Sequence, residues 1–256
     1  MKKFFKSKIV WTVLLLLVVF AGLIGFIFAK MPKRKDGDRV QVTANVVGVY
    51  TDGSYAWLIR TAHGAALIDA GMDREGKAIL AELAQQHLSP QDVHTILITH
   101  GHRDHVGALS LFPRAKIWVG PRDAELMRNE RRSVAMLPNI FVALSPKTKI
   151  PDQLFELAGV NSFELDGNTL TVIHVPGHTP GSTMFLYQNI LFTGDSLFVS
   201  DTGLMFPPSF ICDNSEENHA SLAQLKNLSF DLVADGHAGF TDHAHDKLVK
   251  LLQDAQ

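Results

Sequence analysis

Within six residues, His100-Gly101-His102-Arg103-Asp104-His105, the chain places three imidazoles and a carboxylate. These are the ligand types that borderline divalent metals such as zinc take. In a turn, alternate side chains such as His100 and His102 can converge on one ion, while Asp104 and His105, displaced around the turn, can face a second. Helix capping accounts for one such residue, Asp104 as an N-cap, and not for four. Three more metal-competent residues occur in comparable surroundings. They are His178 in Gly177-His178-Thr179-Pro180-Gly181-Ser182, Asp195 in Thr193-Gly194-Asp195-Ser196, and His237 in Asp235-Gly236-His237-Ala238-Gly239. Each follows an apolar run, so each is expected where a rigid strand hands over to a loop, which preorganises a site. His63, His87, His94, His174, His219, His243 and His245 lack such surroundings and are assigned no ligand role.

Those strand ends need a scaffold, and hydropathy patterning outlines one. Strand-rich runs are expected over 39–50, 54–60 and 65–69, then a helix over 74–87 with Ile79, Leu80, Leu83 and Ala84 on one face. A strand over 95–99, a helix over 106–112, a strand over 116–119 and a helix over 122–131 follow. Pro138, Pro146 and Pro151 mark 133–158 as loops with a short helix. A second block of strands covers 161–165, 169–175, 184–187 and 190–192, and helices over 216–228 and 242–253 bracket a last strand at 232–235. Two blocks of strands, each followed by helices, point to an α/β fold of two face-to-face sheets with helices outside.

Composition narrows the function classes. The 256 residues are 46% hydrophobic and 20% charged, too apolar for a disordered chain. A single cysteine, Cys212, excludes intrachain disulfides and Cys-rich zinc modules. The mean hydropathy of +0.09 is raised by one apolar run, residues 9–29, with Lys2, Lys3, Lys6 and Lys8 before it and Lys30, Lys33, Arg34 and Lys35 after it. As a helix the run extends roughly 31 Å, the thickness of a bilayer's hydrocarbon core. Residues 1–36 are therefore expected to form a membrane anchor with one transmembrane helix at about 9–29, uncleaved because no small-x-small site ends it. The expected location is the cell membrane, with residues 37–256 as one catalytic domain on the extracytoplasmic side. The formal charge of −2 hides a division: residues 1–36 hold eight basic residues and one acidic, leaving 16 basic against 25 acidic, or −9, for the rest. A charge of that sign repels phosphate backbones. The expected partners are a small-molecule substrate and the bilayer, and not nucleic acid.

From Leu67-Ile68-Asp69-Ala70-Gly71 through the HxHxDH segment to GHTPGS, TGDS and DGH, the motifs follow the order of the metallo-β-lactamase superfamily. The chain resembles that family over residues 41–240. The resemblance implies an αββα four-layer sandwich with a metal centre at one edge. It implies that His100, His102 and His178 bind one metal, that Asp104, His105 and His237 bind another, and that Asp195 bridges them. Asp69 resembles the family's buried aspartate that supports the metal loop by hydrogen bonding.

Two divalent ions, zinc by ligand type, that share a water bring its pKa toward neutrality and fix a hydroxide beside the substrate. The reading is hydrolysis of an ester, thioester, lactone or related bond, with Asp104 orienting the nucleophile and passing a proton to the leaving group. The Thr193-Gly194-Asp195-Ser196-Leu197-Phe198 run resembles hydroxyacylglutathione hydrolases, although only 19 residues follow His237, short of their C-terminal helical extension. β-Lactamases usually carry Cys or Ser where Asp195 stands, and quorum-quenching lactonases usually carry Tyr where Phe198 stands. The alternatives are a mononuclear non-haem iron dioxygenase acting on persulfides, a β-lactamase, and a non-catalytic metal-binding module. Iron suits the same ligand types. The apolar loop 201–213 is expected to wall the substrate pocket through Phe206 and Phe210, with Phe198 beside them.

Overall fold

A computed structural model describes residues 34–144 and 147–255, together with positions 10–12, 15, 19 and 22. Two compact units emerge, Met1–Lys33 and Arg34–Gln256. In the first, Val10, Trp11, Leu15 and Val19 are helical and exposed. Crossing a bilayer takes about 20 consecutive apolar helical residues. Among the described residues no helix is long and apolar enough to do so. That finding overturns the expected transmembrane helix, and with it the cell-membrane location and the bilayer as partner. Most of the 9–29 run lies outside the described residues.

The second unit opens with a seven-stranded sheet in sequential order: β1 (Arg39–Thr43), β2 (Val46–Thr51), β3 (Ser54–Thr61), β4 (Gly64–Ile68), β5 (Val93–Ile98), β6 (Lys116–Val119) and β7 (Phe155–Glu156). β1 to β4 form an antiparallel meander, and β4 to β7 run parallel. Helix α1 (Lys77–Gln85) joins β4 to β5; α2 (Asp123–Met127) and α3 (Met136–Leu144) lie between β6 and β7. The second sheet is built from β8 (Ser162–Leu165), β9 (Asn168–His174), β10 (Thr183–Tyr187), β11 (Ile190–Gly194), β14 (Leu232–Asp235) and β15 (Phe240–Thr241), in the spatial order 15-14-11-10-9-8. Between β11 and β14 the chain makes a two-stranded ribbon, β12 (Phe198–Ser200) with β13 (Gly203–Met205), and helix α4 (Ser215–Leu222); α5 (Ala244–Asp254) closes the unit.

Strand alternation explains the layers. Along β3, Tyr55, Trp57 and Ile59 turn to one apolar cluster, and Ala56 and Leu58 turn to another. Along β10 and β11, Phe185, Tyr187, Ile190 and Phe192 join the first of these, while Met184 and Leu191 face a third. A strand buried on both faces cannot alternate polar with apolar, which is why these runs read as continuously hydrophobic. The shared cluster fills the space between the sheets. The other two are completed by Ile79 and Leu83 of α1 and by Leu222 of α4 and Leu248 and Leu252 of α5. The result is the helix–sheet–sheet–helix sandwich that the resemblance implied.

Local departures from the sequence reading have visible causes. The 39–50 run is a hairpin of two strands, β1 and β2. The helix expected over 106–112 is absent; only short 3₁₀ turns, Arg103–His105 and Leu109–Leu111, form there. The Gly107 and Ala108 amides bond instead to the carbonyls of Gly71 (2.6 Å) and Ala70 (3.1 Å), so the loop after β4 takes the donors an α-helix would use internally. The helix expected over 216–228 ends at Leu222 and tightens into a 3₁₀ segment, Ala223–Asn227.

Parallel pairing of β4 with β5, and of β11 with β14, brings the C-terminal ends of each pair to one edge. β9 pairs antiparallel with β10, and β10 with β11, so β9 runs in the direction of β11. A hydrogen bond from the Thr183 amide to the Thr99 carbonyl (2.8 Å) ties the two sheets at this edge.

Candidate metal centre

Two groups of metal-competent side chains assemble at that edge. One is His100, His102 and His178; the other is Asp104, His105, Asp195 and His237. Within each group the candidate ligand atoms all lie within 4.8 Å of one another. Asp195 stands between them: its Oδ2 is 3.8 Å from His178 Nε2, 4.0 Å from His100 Nε2 and 3.0 Å from His237 Nε2, and its Oδ1 is 3.3 Å from His105 Nε2. Asp104 Oδ2 lies 3.6 Å from both His105 Nε2 and His237 Nε2. All seven residues singled out in the sequence are thus brought together, from the ends of β5, β9, β11 and β14.

The imidazoles are oriented from behind. His105 Nδ1 is 2.7 Å from Asp69 Oδ2, His237 Nδ1 is 2.7 Å from the Gly53 carbonyl, and His100 Nδ1 is 3.1 Å from Thr99 Oγ1. Each contact engages Nδ1 and directs Nε2 forward, which fixes both ring and tautomer. Asp69 does most of this. It takes the left-handed φ of 60° just past β4, and its carboxylate accepts the Thr99 amide (2.8 Å), the Thr99 hydroxyl (2.7 Å) and His105. Asp235 plays the same part for the His237 loop, accepting the Val199, His237, Ala238 and Gly239 amides at 2.7 to 3.1 Å. At the other group, His178 Nε2 meets His102 Nδ1 at 3.0 Å, close to the about 3.3 Å edge of a tetrahedron with zinc–nitrogen bond lengths.

Electrostatics differ between the groups. Burial, reinforced by neighbouring imidazoles, drives His100 well below its ordinary pKa and His178 down to about 3; burial also lowers His102. Neutral imidazole is the ligand form. Burial also acts to lower His105 and His237, but Asp195 and the nearby aspartates outweigh it, raising His105 well above its usual value and His237 to about 9. Asp195 goes the opposite way: His237 and His105 overcome its burial and hold it well below the carboxylate range. Three aspartates, at positions 69, 104 and 195, therefore call for positive charge at the second group.

The donor set fits divalent cations. His100 Nε2, His105 Nε2 and Asp195 Oδ1 are buried without a hydrogen-bond partner, as is His102 Nε2. Unpaired buried polar atoms are costly, and three of these, His100 Nε2, His105 Nε2 and Asp195 Oδ1, gather around the Asp195 carboxylate, which marks a place that suits a ligand.

The other residues singled out take different positions. Phe198 lies with its ring centroid 5.8 Å from that of His237, beside the second group. Phe206 packs on the His219 ring (3.9 Å) and against the outer apolar cluster of the second sheet. Phe210, in the turn Ser209–Ile211, is half-buried. Cys212 is buried 3.8 Å from His178 Nδ1, and burial pushes its thiol up to about 12, so it carries no nucleophilic charge. Sequence reasoning missed Thr99, Gly53, Asp123 and Asp235. Only Asp235 carried a signal, since an aspartate before Gly-His readily bonds the backbone two residues on.

A family model described as the metallo-beta-lactamase superfamily matches residues 49–251. The hydroxyacylglutathione hydrolase of Aeromonas hydrophila is 30% identical over 184 residues, 70% of this chain and 59% of that protein. Hydroxyacylglutathione hydrolase GloC of Haemophilus influenzae is 33% identical over 194 residues, 72% of this chain and 84% of that one. The Rm3 metallo-beta-lactamase shares the fold, with a TM-score of 0.65 at 22% identity, covering 90% of this chain and 96% of that one. The aligned part is less than two thirds of the Aeromonas relative's length. With 203 consecutive residues matched to the family and both sheets in place, the chain belongs to the metallo-beta-lactamase superfamily.

Proposed function

We propose that residues 37–256 form a metal-dependent hydrolase domain acting on the carbonyl of a small ester-type substrate. One divalent cation would be held by His100, His102 and His178, a second by Asp104, His105 and His237, with Asp195 between them. The observation that carries this reading is the Asp195 carboxylate, within 4.0 Å of imidazoles from both groups. Cations bound there acidify a water and polarise a carbonyl oxygen; zinc suits the imidazole and carboxylate donors. Asp104 keeps 19% of its side chain exposed, more than Asp195 or any of the three imidazoles of the 100–105 turn. From that position it orients the attacking water and returns a proton to the leaving group. His105 and His237 keep their Nε2 atoms directed at Asp104 and Asp195 because Asp69 and the Gly53 carbonyl hold their Nδ1 atoms. The neutral thiol of Cys212 takes no part.

Hydroxyacyl thioesters come first as substrates, supported by the similarity to hydroxyacylglutathione hydrolases. Lactones, simple esters, β-lactams and phosphodiesters complete the panel. The test is hydrolysis of this panel by the full chain, with metals counted on the same sample. Two bound zinc ions and turnover of a thioester, ester or lactone are expected. One bound iron with oxygen consumption, or bound metal without turnover of any member, refutes the reading.

A further inference from the structure

Asp123 belongs to neither ligand group and to no sequence motif, yet it is fully buried at 0% exposure. Its carboxylate joins the two loops that carry His100, His102 and His178. Oδ2 accepts a 2.7 Å hydrogen bond from the Gly101 amide, between His100 and His102, and another of 2.7 Å from the Thr179 hydroxyl, next to His178. Oδ1 accepts the Gly181 amide at 3.0 Å. The surrounding backbone is fitted just as closely. A Cβ added at Gly101 would fall 2.7 Å from the Asp123 carbonyl oxygen, and one at Gly181 would fall 2.7 Å from Asp123 Oδ1. The residue before it, Arg122, takes a left-handed φ of 69°, a conformation that an arginine adopts only when its surroundings impose it. Three converging donors require a group that only accepts, as an ionised carboxylate does.

We propose that Asp123 is a positioning residue: it sets the spacing of the 100–102 and 178–181 loops and so governs cation binding by His100, His102 and His178, leaving the other group unaffected. The inference rests on the two-cation reading. Asp104, His105, Asp195 and His237 are supported instead through Asp69, the Gly53 carbonyl and Asp235. Replacing Asp123 by Asn keeps the volume but leaves one acceptor oxygen for three donors, so in either orientation its NH₂ faces at least one of them and the joint between the two loops is weakened.

The test titrates the metal-free full chain with Zn²⁺ against a chromophoric chelator, for wild type, Asp123→Asn and Thr179→Val, with thermal unfolding of each metal-free protein alongside. Wild type is expected to take two equivalents. Asp123→Asn is expected to bind one of them about 10- to 100-fold more weakly, the range for lost supporting contacts, and the other within about threefold. Thr179→Val, which removes one donor, weakens the same equivalent by about three- to tenfold. The equivalent that survives His102→Ala is unchanged when Asp123→Asn is added. Parallel weakening of both equivalents, or no weakening of either, overturns the inference; if Asp123→Asn does not fold, Thr179→Val decides on the same criteria. A wild type that takes fewer than two equivalents overturns the two-cation reading and this inference with it. Two equivalents without selective loss overturns this inference alone.

Discussion

Replacing Asp69 by Asn separates the support of the second ligand group from its ligands. In the structure Asp69 Oδ1 accepts the Thr99 amide, while Oδ2 accepts both the Thr99 hydroxyl and His105 Nδ1. An asparagine keeps the first bond through its carbonyl oxygen and presents NH₂ where Oδ2 stood. The threonine hydroxyl can rotate to accept from that NH₂. The imidazole can do so only with Nδ1 unprotonated and its proton held on Nε2, the atom that faces Asp195 at 3.3 Å. Cation binding must then reverse the tautomer and break the new bond. A hydrogen bond to a charged group is worth about 1.5–3 kcal/mol, which converts to about 10- to 150-fold in affinity. The expected outcome is a loss of that size at the group containing His105. It is read by chelator competition in a His102→Ala background, where the first group is already broken. An affinity within about threefold of the parent would show that the Asp69–His105 bond does not set the ligand tautomer.

Other outcomes follow from the same contacts. Asp195→Ala should lower affinity for both metal equivalents, whereas His102→Ala should remove one; metal counts by mass spectrometry distinguish them. Trp57 is 1% exposed, lies 5.0 Å from the Tyr55 ring and donates to the Asp235 carbonyl at 3.0 Å. Trp57→Ala should destabilise the metal-free protein by about 3–5 kcal/mol in urea titrations. Burial raises Tyr55 from 10.0 to about 12. Between those values the unfolded chain holds fewer protons than the folded one, so stability falls as pH rises, and below pH 10 the contribution is complete. Tyr55→Phe should flatten that decline, measured by urea unfolding across the alkaline range. Cys212 should resist alkylation in the native protein at neutral pH and react once the chain is denatured, as followed by intact mass.

The sequence by itself determined which residues are candidates for the site, because they sit in short motifs with unusual chemistry. Three histidines and an aspartate in six residues have few structural uses, and His178, Asp195 and His237 each follow an apolar strand. Strand positions were legible for a related reason. Runs such as Tyr55–Ile59 and Ile190–Phe192 are buried on both faces, so hydrophobicity alone reveals them. The two-sheet sandwich followed from their order. Where the sequence misled, a tertiary competitor intervened. Apolar periodicity over 106–112 suggested a helix, but the carbonyls of Ala70 and Gly71, distant in sequence, claimed its amides. The basic-flanked apolar run suggested a membrane span, which no helix among the described residues forms.

Tertiary structure alone decided how the motifs act together. No spacing rule places the Asp195 carboxylate within 4.0 Å of imidazoles from both groups; two parallel strand pairs in separate sheets do. Nor does sequence reveal which nitrogen each histidine presents, since that depends on partners such as Asp69, Thr99 and the Gly53 carbonyl. Asp123 is the clearest case. Its neighbours in sequence form a short helix with no metal-binding motif, and the role proposed for it arises from three donors that folding brings to it from positions 22, 56 and 58 residues away. Which residues are chemically able to hold a metal is a local property and was readable. Ligand orientation depends on hydrogen bonds between remote segments, and those exist only once the two sheets have packed.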